Sequence, residues 1–225
     1  MPDIRLSSLV VPRTARYAAF GPPPASAAEW WVVLHGYGQL AAEFLAGCRA
    51  LDDGRRLVVA PEALNRFYDT SATASTAAHT ESRVGATWMT REDRENEIAD
   101  YVRYLDLLMD ALATGLREPP PVHVLAFSQA TATAVRWVMR GRVRPVRLVL
   151  WGGMVPPEVD LTAPDSPLRR TRVQLVVGSR DVWATPERIA GERARLDSAA
   201  FPYEGISFTG GHRLDDQTLA ALAAS

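Results

Sequence analysis

The sequence predicts an α/β protein with a mainly parallel central sheet and helices on both of its faces. Three observations predict it. Segments 30–34, 57–60, 122–127, 146–150 and 173–177 are short, nearly continuous apolar runs, the pattern of strands buried on both sides. Between the second and third lies a helical stripe in which Ile98, Tyr101, Val102, Leu105, Leu108, Met109 and Leu112 recur at three and four residues. The chain has 225 residues, 47% hydrophobic and 23% charged, enough to bury one core without a disulfide or structural metal, so one domain over 1–225 is expected.

Taken in order, 9–11 and 16–20 read as two short strands around a turn, closed by Gly21-Pro22-Pro23-Pro24. Strand 30–34 empties into His35-Gly36-Tyr37-Gly38, and 40–51 carries a helical stripe that includes Cys48, read as a packed core residue. Strand 57–60 stops at Pro61, and strand 122–127 follows three prolines and leads into a helix over 129–140. Thr185-Pro186 has the form of an N-cap and a first-turn proline, opening a helix to about Leu196. A last strand at 206–208 and a last helix at 215–222 complete the alternation, with no internal repeat. The segment 68–85 is rich in Ser, Thr and Ala with neither period; it reads as a long loop, either a lid or a plain surface excursion.

Several chemistries are excluded. All 25 basic residues other than histidine are arginine, so a Schiff-base lysine, a Walker-type phosphate loop and a Ser-Lys hydrolase cannot be encoded. A formal charge of −1 with dispersed arginines gives no electrostatic reason to expect nucleic acid or an anionic membrane. No His or Cys pair has metal-ligand spacing, so neither metal nor cofactor is expected. The N-terminus lacks a secretory apolar core and no run reaches the length of a membrane span, which predicts a cytoplasmic chain.

The positions that carry chemistry all fall at strand ends. Ala126-Phe127-Ser128-Gln129-Ala130 joins a strand to a helix, where a sharp turn lifts a serine hydroxyl above the sheet and small flanking residues avoid collision. His35-Gly36-Tyr37-Gly38 follows an earlier strand and suits a loop that turns backbone N–H groups toward a substrate, so the Tyr37 and Gln129 amides are the expected oxyanion donors. Asp181 follows strand 173–177 by a short loop, and His212 follows Gly210-Gly211 after the last strand. Among the four histidines it is the best-placed base, since His35 belongs to the glycine loop, His123 lies inside a strand and His79 in the irregular segment. The chain order Ser128, Asp181, His212 is that of a Ser-acid-His hydrolase on an α/β sheet.

With these residues in place, the sequence resembles the phospholipase/carboxylesterase family, the acyl-protein-thioesterase-like esterases. The resemblance rests on 34–38, Phe127-Ser128-Gln129, Gly178 with Asp181, Gly211-His212, and Trp88 ahead of the long helix. It implies the α/β-hydrolase fold without a large cap domain. It also implies a cofactor-free monomer or homodimer that hydrolyses carboxylic esters, with lysophospholipids or acyl thioesters as the alternative substrates. A catalytically silent binding protein of the same fold is the rival from another class. Trp88, Met154, Val155 and Trp183 fall in loops after strand ends and are candidates to line an apolar acyl pocket, with ordinary packing as the other reading of each.

Overall fold

The computed structural model describes residues 3–69 and 82–225. In chain order its elements are β1 (Tyr17–Phe20), β2 (Glu29–Leu34), α1 (Ala41–Ala46), β3 (Arg56–Pro61), β4 (Asn65–Tyr68), β5 (Val84–Thr87), α2 (Arg94–Ala113), β6 (Val122–Phe127), α3 (Ala130–Arg140), β7 (Arg147–Trp151), β8 (Arg172–Gly178), α4 (Pro186–Ser198), β9 (Glu204–Phe208) and α5 (Asp216–Ala224). Seven strands form one sheet in the order β1-β3-β2-β6-β7-β8-β9. Only β1 runs antiparallel, on β3; every other pairing in this sheet is parallel.

Parallel strands need crossovers, and the crossovers cover both faces, which is why the strands read as unbroken apolar runs. The period of two then sorts their side chains. Val32 and Leu34 of β2 join Ile98, Tyr101 and Leu105 of α2, Ala134, Trp137 and Val138 of α3 and Leu196 of α4 in one core. Trp31 and Val33, pointing the other way, pack with Phe44 and Leu45 of α1 and Leu219 and Leu222 of α5. Cys48 lies fully buried in this second core, where burial raises its thiol pKa to about 12, as a packing residue requires.

The strand order reverses between β2 and β6, so the loops leaving their carboxyl ends diverge and open a crevice. That crevice is where residues 35–39 and 128–129 meet. Both helix starts expected at 185–186 and 215 are capped: the Thr185 and Asp215 side chains accept from the amides three residues on.

Three expectations need correction. Residues 9–11 form no strand: β1 is the edge of the sheet, Pro12 removes an amide, and Leu9, Val10 and Val11 are exposed. The 40–51 helix is interrupted, with α1 ending at Ala46 before Gly47 and a separate single turn at Arg49–Leu51. The expected loop 68–85 is framed at each end by strand, since Tyr68 pairs with Val84 and Phe67 with Gly85 in the antiparallel β4–β5 hairpin. Its interior, 70–81, which includes His79, lies outside the described residues. Among the described residues no helix is long and apolar enough to cross a membrane.

His123 in β6 shows what burial costs a titratable group. It stacks on Trp31 with centroids 4.7 Å apart, and among the described residues its Nδ1 has no hydrogen-bond partner. Desolvation outweighs the attraction of Glu29, whose carboxylate is 3.6 Å from Nε2, and lowers the pKa to about 4. The unfolded chain therefore binds the extra proton first. Stability from this residue is complete above pH 6.5 and drains away as the pH falls toward 4. The expected loss is on the order of 2 kcal/mol after allowance for solvent screening. Urea midpoints measured between pH 7 and pH 4 should fall, and fall less in His123→Phe; equal slopes in the two chains would refute this account.

Candidate active site

Ser128 sits where β6 gives way to α3, with a left-handed backbone, φ 56°. This conformation costs a residue with a Cβ about 1–2 kcal/mol, and it persists because neighbours hold both ends of the peptide. The Ser128 amide donates to Trp151 O at 2.8 Å, and its carbonyl accepts from the Thr131 amide at 3.0 Å and hydroxyl at 2.9 Å. Ala126 and Ala130, two positions away on either side, are fully buried, so the turn accepts methyl groups where glycine is customary.

Ser128 Oγ lies 2.8 Å from His212 Nε2, and His212 Nδ1 lies 2.7 Å from Asp181 Oδ2. Asp181 is buried, which opposes its ionisation. The amides of Ala184 and Trp183 donating to Oδ1 at 2.9 and 2.8 Å, together with His212, outweigh that and hold the carboxyl below its usual range. An ionised Asp181 can only accept, so Nδ1 carries the proton and Nε2 is left to accept from the serine hydroxyl. The loop holding His212 is pinned in turn, by the Arg180 amide on Gly210 O at 2.8 Å and by the Trp151 indole on Arg213 O at 2.9 Å.

His35 is the opposite case. It is fully buried, and the Ala63 amide donates to its Nε2 at 3.0 Å while Nδ1 lies 2.8 Å from Gly36 O. An amide can only donate, so the ring is the neutral Nδ1–H form with both nitrogens occupied, and burial lowers its pKa. It ties the end of β2 to the end of β3. Two residues on, Tyr37 points its ring outward onto Phe67 at 5.1 Å. Neither the Tyr37 amide nor the Gln129 amide at the N-terminus of α3 donates a hydrogen bond among the described residues.

The four residues considered for an acyl pocket differ widely in exposure. Trp88 is 1% exposed, packed edge-on against Tyr101, with its indole N–H on His35 O at 2.8 Å. Val155 is buried in the core between α3 and α4, its amide bound to the Glu192 carboxylate and its carbonyl to Arg195. An apolar residue after a strand end has two ways to be satisfied, and in these two the side chain is spent on core packing, one of the two readings the sequence allowed. Met154 is half-buried, with its carbonyl taking the Thr131 hydroxyl. Trp183 is 65% exposed and serves Asp181 through its amide.

Residues not anticipated are Thr87, Met89 and the side chain of Gln129. The Gln129 carboxamide binds the Trp88 amide at 3.2 Å, Thr87 Oγ1 at 2.8 Å and Met89 O at 3.1 Å. Only the position of Gln129 beside the serine could have flagged it.

No family model matches the chain, and no curated protein matches it in sequence. Solved structures do match it in shape. An acyl-protein thioesterase 2 from Zea mays is 16% identical, over 94% of this chain and 99% of that one, with a TM-score of 0.67. A carboxylesterase from Bacillus cereus is 13% identical over 93% and 92%, with a TM-score of 0.65. SOBER1 from Arabidopsis thaliana is 15% identical over 88% and 97%, with a TM-score of 0.64. The likeness is one of architecture and agrees with the sheet order found here: the chain has the α/β-hydrolase fold.

Proposed function

We propose that the chain is a serine hydrolase that cleaves carboxylic esters through Ser128, His212 and Asp181. The observation that carries the proposal is the continuous hydrogen-bonded chain from Asp181 through His212 to Ser128, with the serine on a strained turn at the open end of the sheet. The names of the structural neighbours, carboxylesterase and acyl-protein thioesterase, agree with that chemistry.

In this mechanism Ser128 Oγ attacks the acyl carbonyl carbon while its proton passes to His212 Nε2. Asp181 stabilises the resulting imidazolium and keeps the ring in register. The carbonyl oxygen, now an oxyanion, is held by the Tyr37 and Gln129 amides, whose hydrogen bonds are not spent elsewhere among the described residues. Collapse expels the alcohol, which takes the proton from His212 and leaves an acyl-serine. A water molecule, deprotonated by the same imidazole, then attacks the acyl carbon and frees the acid and the serine. No step needs a metal or cofactor.

Lysophospholipids and acyl thioesters present the same carbonyl to the same nucleophile, and they are the alternative substrates within this proposal. A series of nitrophenyl esters of increasing chain length, run beside matched acyl thioesters, sorts them by kcat/KM.

Labelling with a fluorophosphonate and peptide mapping should place the tag on Ser128 alone and find none in Ser128→Ala. A folded wild-type chain that resists the probe would favour the binding-protein reading instead. Ser128→Ala and His212→Ala should each lose about a thousandfold or more in kcat. Asp181→Asn keeps an acceptor for the Trp183 and Ala184 amides but turns an amide N–H toward His212, forcing the wrong tautomer. A loss of about 10³–10⁴-fold in kcat with nearly unchanged thermal stability is expected. Gly152, φ 65°, lies under the imidazole, where an added Cβ would come within 3.0 Å of His212 Cε1 and 3.1 Å of Nδ1. Gly152→Ala should therefore lower kcat by about tenfold or more by displacing the ring, with KM little changed.

A further inference from the structure

The two amides assigned to the oxyanion hole sit on loops that the sheet itself does not hold together. The β2–β6 ladder ends at the pair Leu34–Ala126, and Tyr37 and Gln129 lie three residues beyond it on either side. An oxyanion hole works only when both donors stand about 2.7–3.1 Å from one point, so something past the ladder must fix their separation.

The segment from Gly85 to Met89 spans that gap. Gly85 lies so close to the glycine loop that an added Cβ would be 2.8 Å from Gly38 Cα and from Gly38 O. Ala86 O accepts from the Gly38 amide at 2.9 Å. Thr87 Oγ1 and Met89 O accept from Gln129 Nε2. Trp88 reaches both loops: its amide donates to Gln129 Oε1 at 3.2 Å and its indole N–H to His35 O at 2.8 Å. Its ring is 1% exposed, wedged between His35 and Tyr101, so neither bond can swing away. The indole bond sits two residues before the Tyr37 amide, and the amide bond lands on the side chain of the residue whose amide is the second donor.

We propose that Trp88 is a positioning residue that sets the distance between the two oxyanion amides, acting as a strut from the β4–β5 hairpin across the crevice. The proposal rests on the serine-hydrolase reading and deepens it. Trp88 touches no reacting atom; it acts through the backbone of residues 35–37 and through Gln129. Its loss is felt in the transition state, when charge appears on the carbonyl oxygen, and not in binding of the neutral ester.

The test uses Trp88→Phe, which keeps an aromatic ring in the core and removes the indole N–H. Trp137→Phe is the control, because it deletes an indole bond of similar length, 2.9 Å from Trp137 of α3 to Asp106 of α2, that joins two helices and neither oxyanion loop. With a nitrophenyl ester, Trp88→Phe should lower kcat by about ten- to a hundredfold at constant KM. Affinity for a trifluoromethyl ketone, which forms an oxyanion on Ser128, should fall by the same factor. Trp137→Phe should lower Tm with kcat intact. If Trp88→Phe folds poorly, Gln129→Met cuts the strut at its other end and should give the same split between kcat and KM. Unchanged kcat and ketone affinity in both site variants, or an equal loss in Trp137→Phe, would overturn the strut. Fluorophosphonate labelling of the wild-type chain separates the two failures: a labelled Ser128 with indifferent variants removes the strut alone, whereas an unlabelled Ser128 removes the hydrolase reading on which it stands.

Discussion

Ser128 occupies the left-handed region at φ 56°, a conformation that its own Cβ disfavours, and much of the surrounding construction serves to keep it there. Its amide is taken by Trp151 O of β7 and its carbonyl by Thr131, so the turn is fixed by the neighbouring strand and by the first turn of the following helix. Trp151 in turn uses its indole to hold the loop of His212. One buried tryptophan thus ties the strained serine and its proposed base to the same strand. The parallel register of β6, β7 and β8 brings their carboxyl ends level, which lets bonds this short, 2.7 and 2.8 Å, form between residues far apart in the chain.

The two histidines at this end of the sheet show how hydrogen-bond accounting assigns roles. His35 has both ring nitrogens engaged by backbone groups and no exposure, so it can only be structural. His212 has one nitrogen on a carboxylate and the other on a hydroxyl, and it is only half-buried. The difference lies in the partners. A backbone amide never gives up its proton, whereas a serine hydroxyl beside an imidazole can. Asp181 stays ionised in a buried place because two amides and the imidazole outweigh desolvation, so the polarity of the chain from acid to serine is set before any substrate arrives.

What could be read from the sequence follows from how local the signals are. Five sheet strands are visible because burial on both faces demands runs such as 30–34 and 122–127; the candidates Ser128 and Asp181 follow the ends of such runs, whereas His212 follows the short, mostly exposed β9 and is marked by Gly210-Gly211. The β4–β5 hairpin was hidden: Asn65 to Tyr68 carries Asn and Arg at its start, its partner begins only at Val84, and its stabilising contact is Gly85 against Gly38, far away in the chain. The expected strand at 9–11 failed for a complementary reason. Val-Val favours extended backbone, but Pro12 lacks the amide that pairing on the open edge of β1 would use, and Leu9, Val10 and Val11 stay exposed.

Trp88 joins these threads. A large apolar residue after a strand end invites assignment to a substrate pocket, since composition cannot distinguish a ring that faces a ligand from one that faces the core. The hydrogen bonds distinguish them: an indole N–H committed to His35 O and an amide committed to Gln129 leave the side chain no freedom to follow a substrate. On the proposed reading, substrate contact then falls to exposed groups on loops after other strands, Tyr37 stacked on Phe67 and Trp183 beside the buried acid. Among the described residues neither ring makes a polar bond of its own, so on that reading both can adjust to an acyl chain while the backbone beneath them stays fixed. On the proposed reading, substitutions at Tyr37 and Trp183 alter which ester is taken, and substitutions at Trp88 alter how fast any ester reacts.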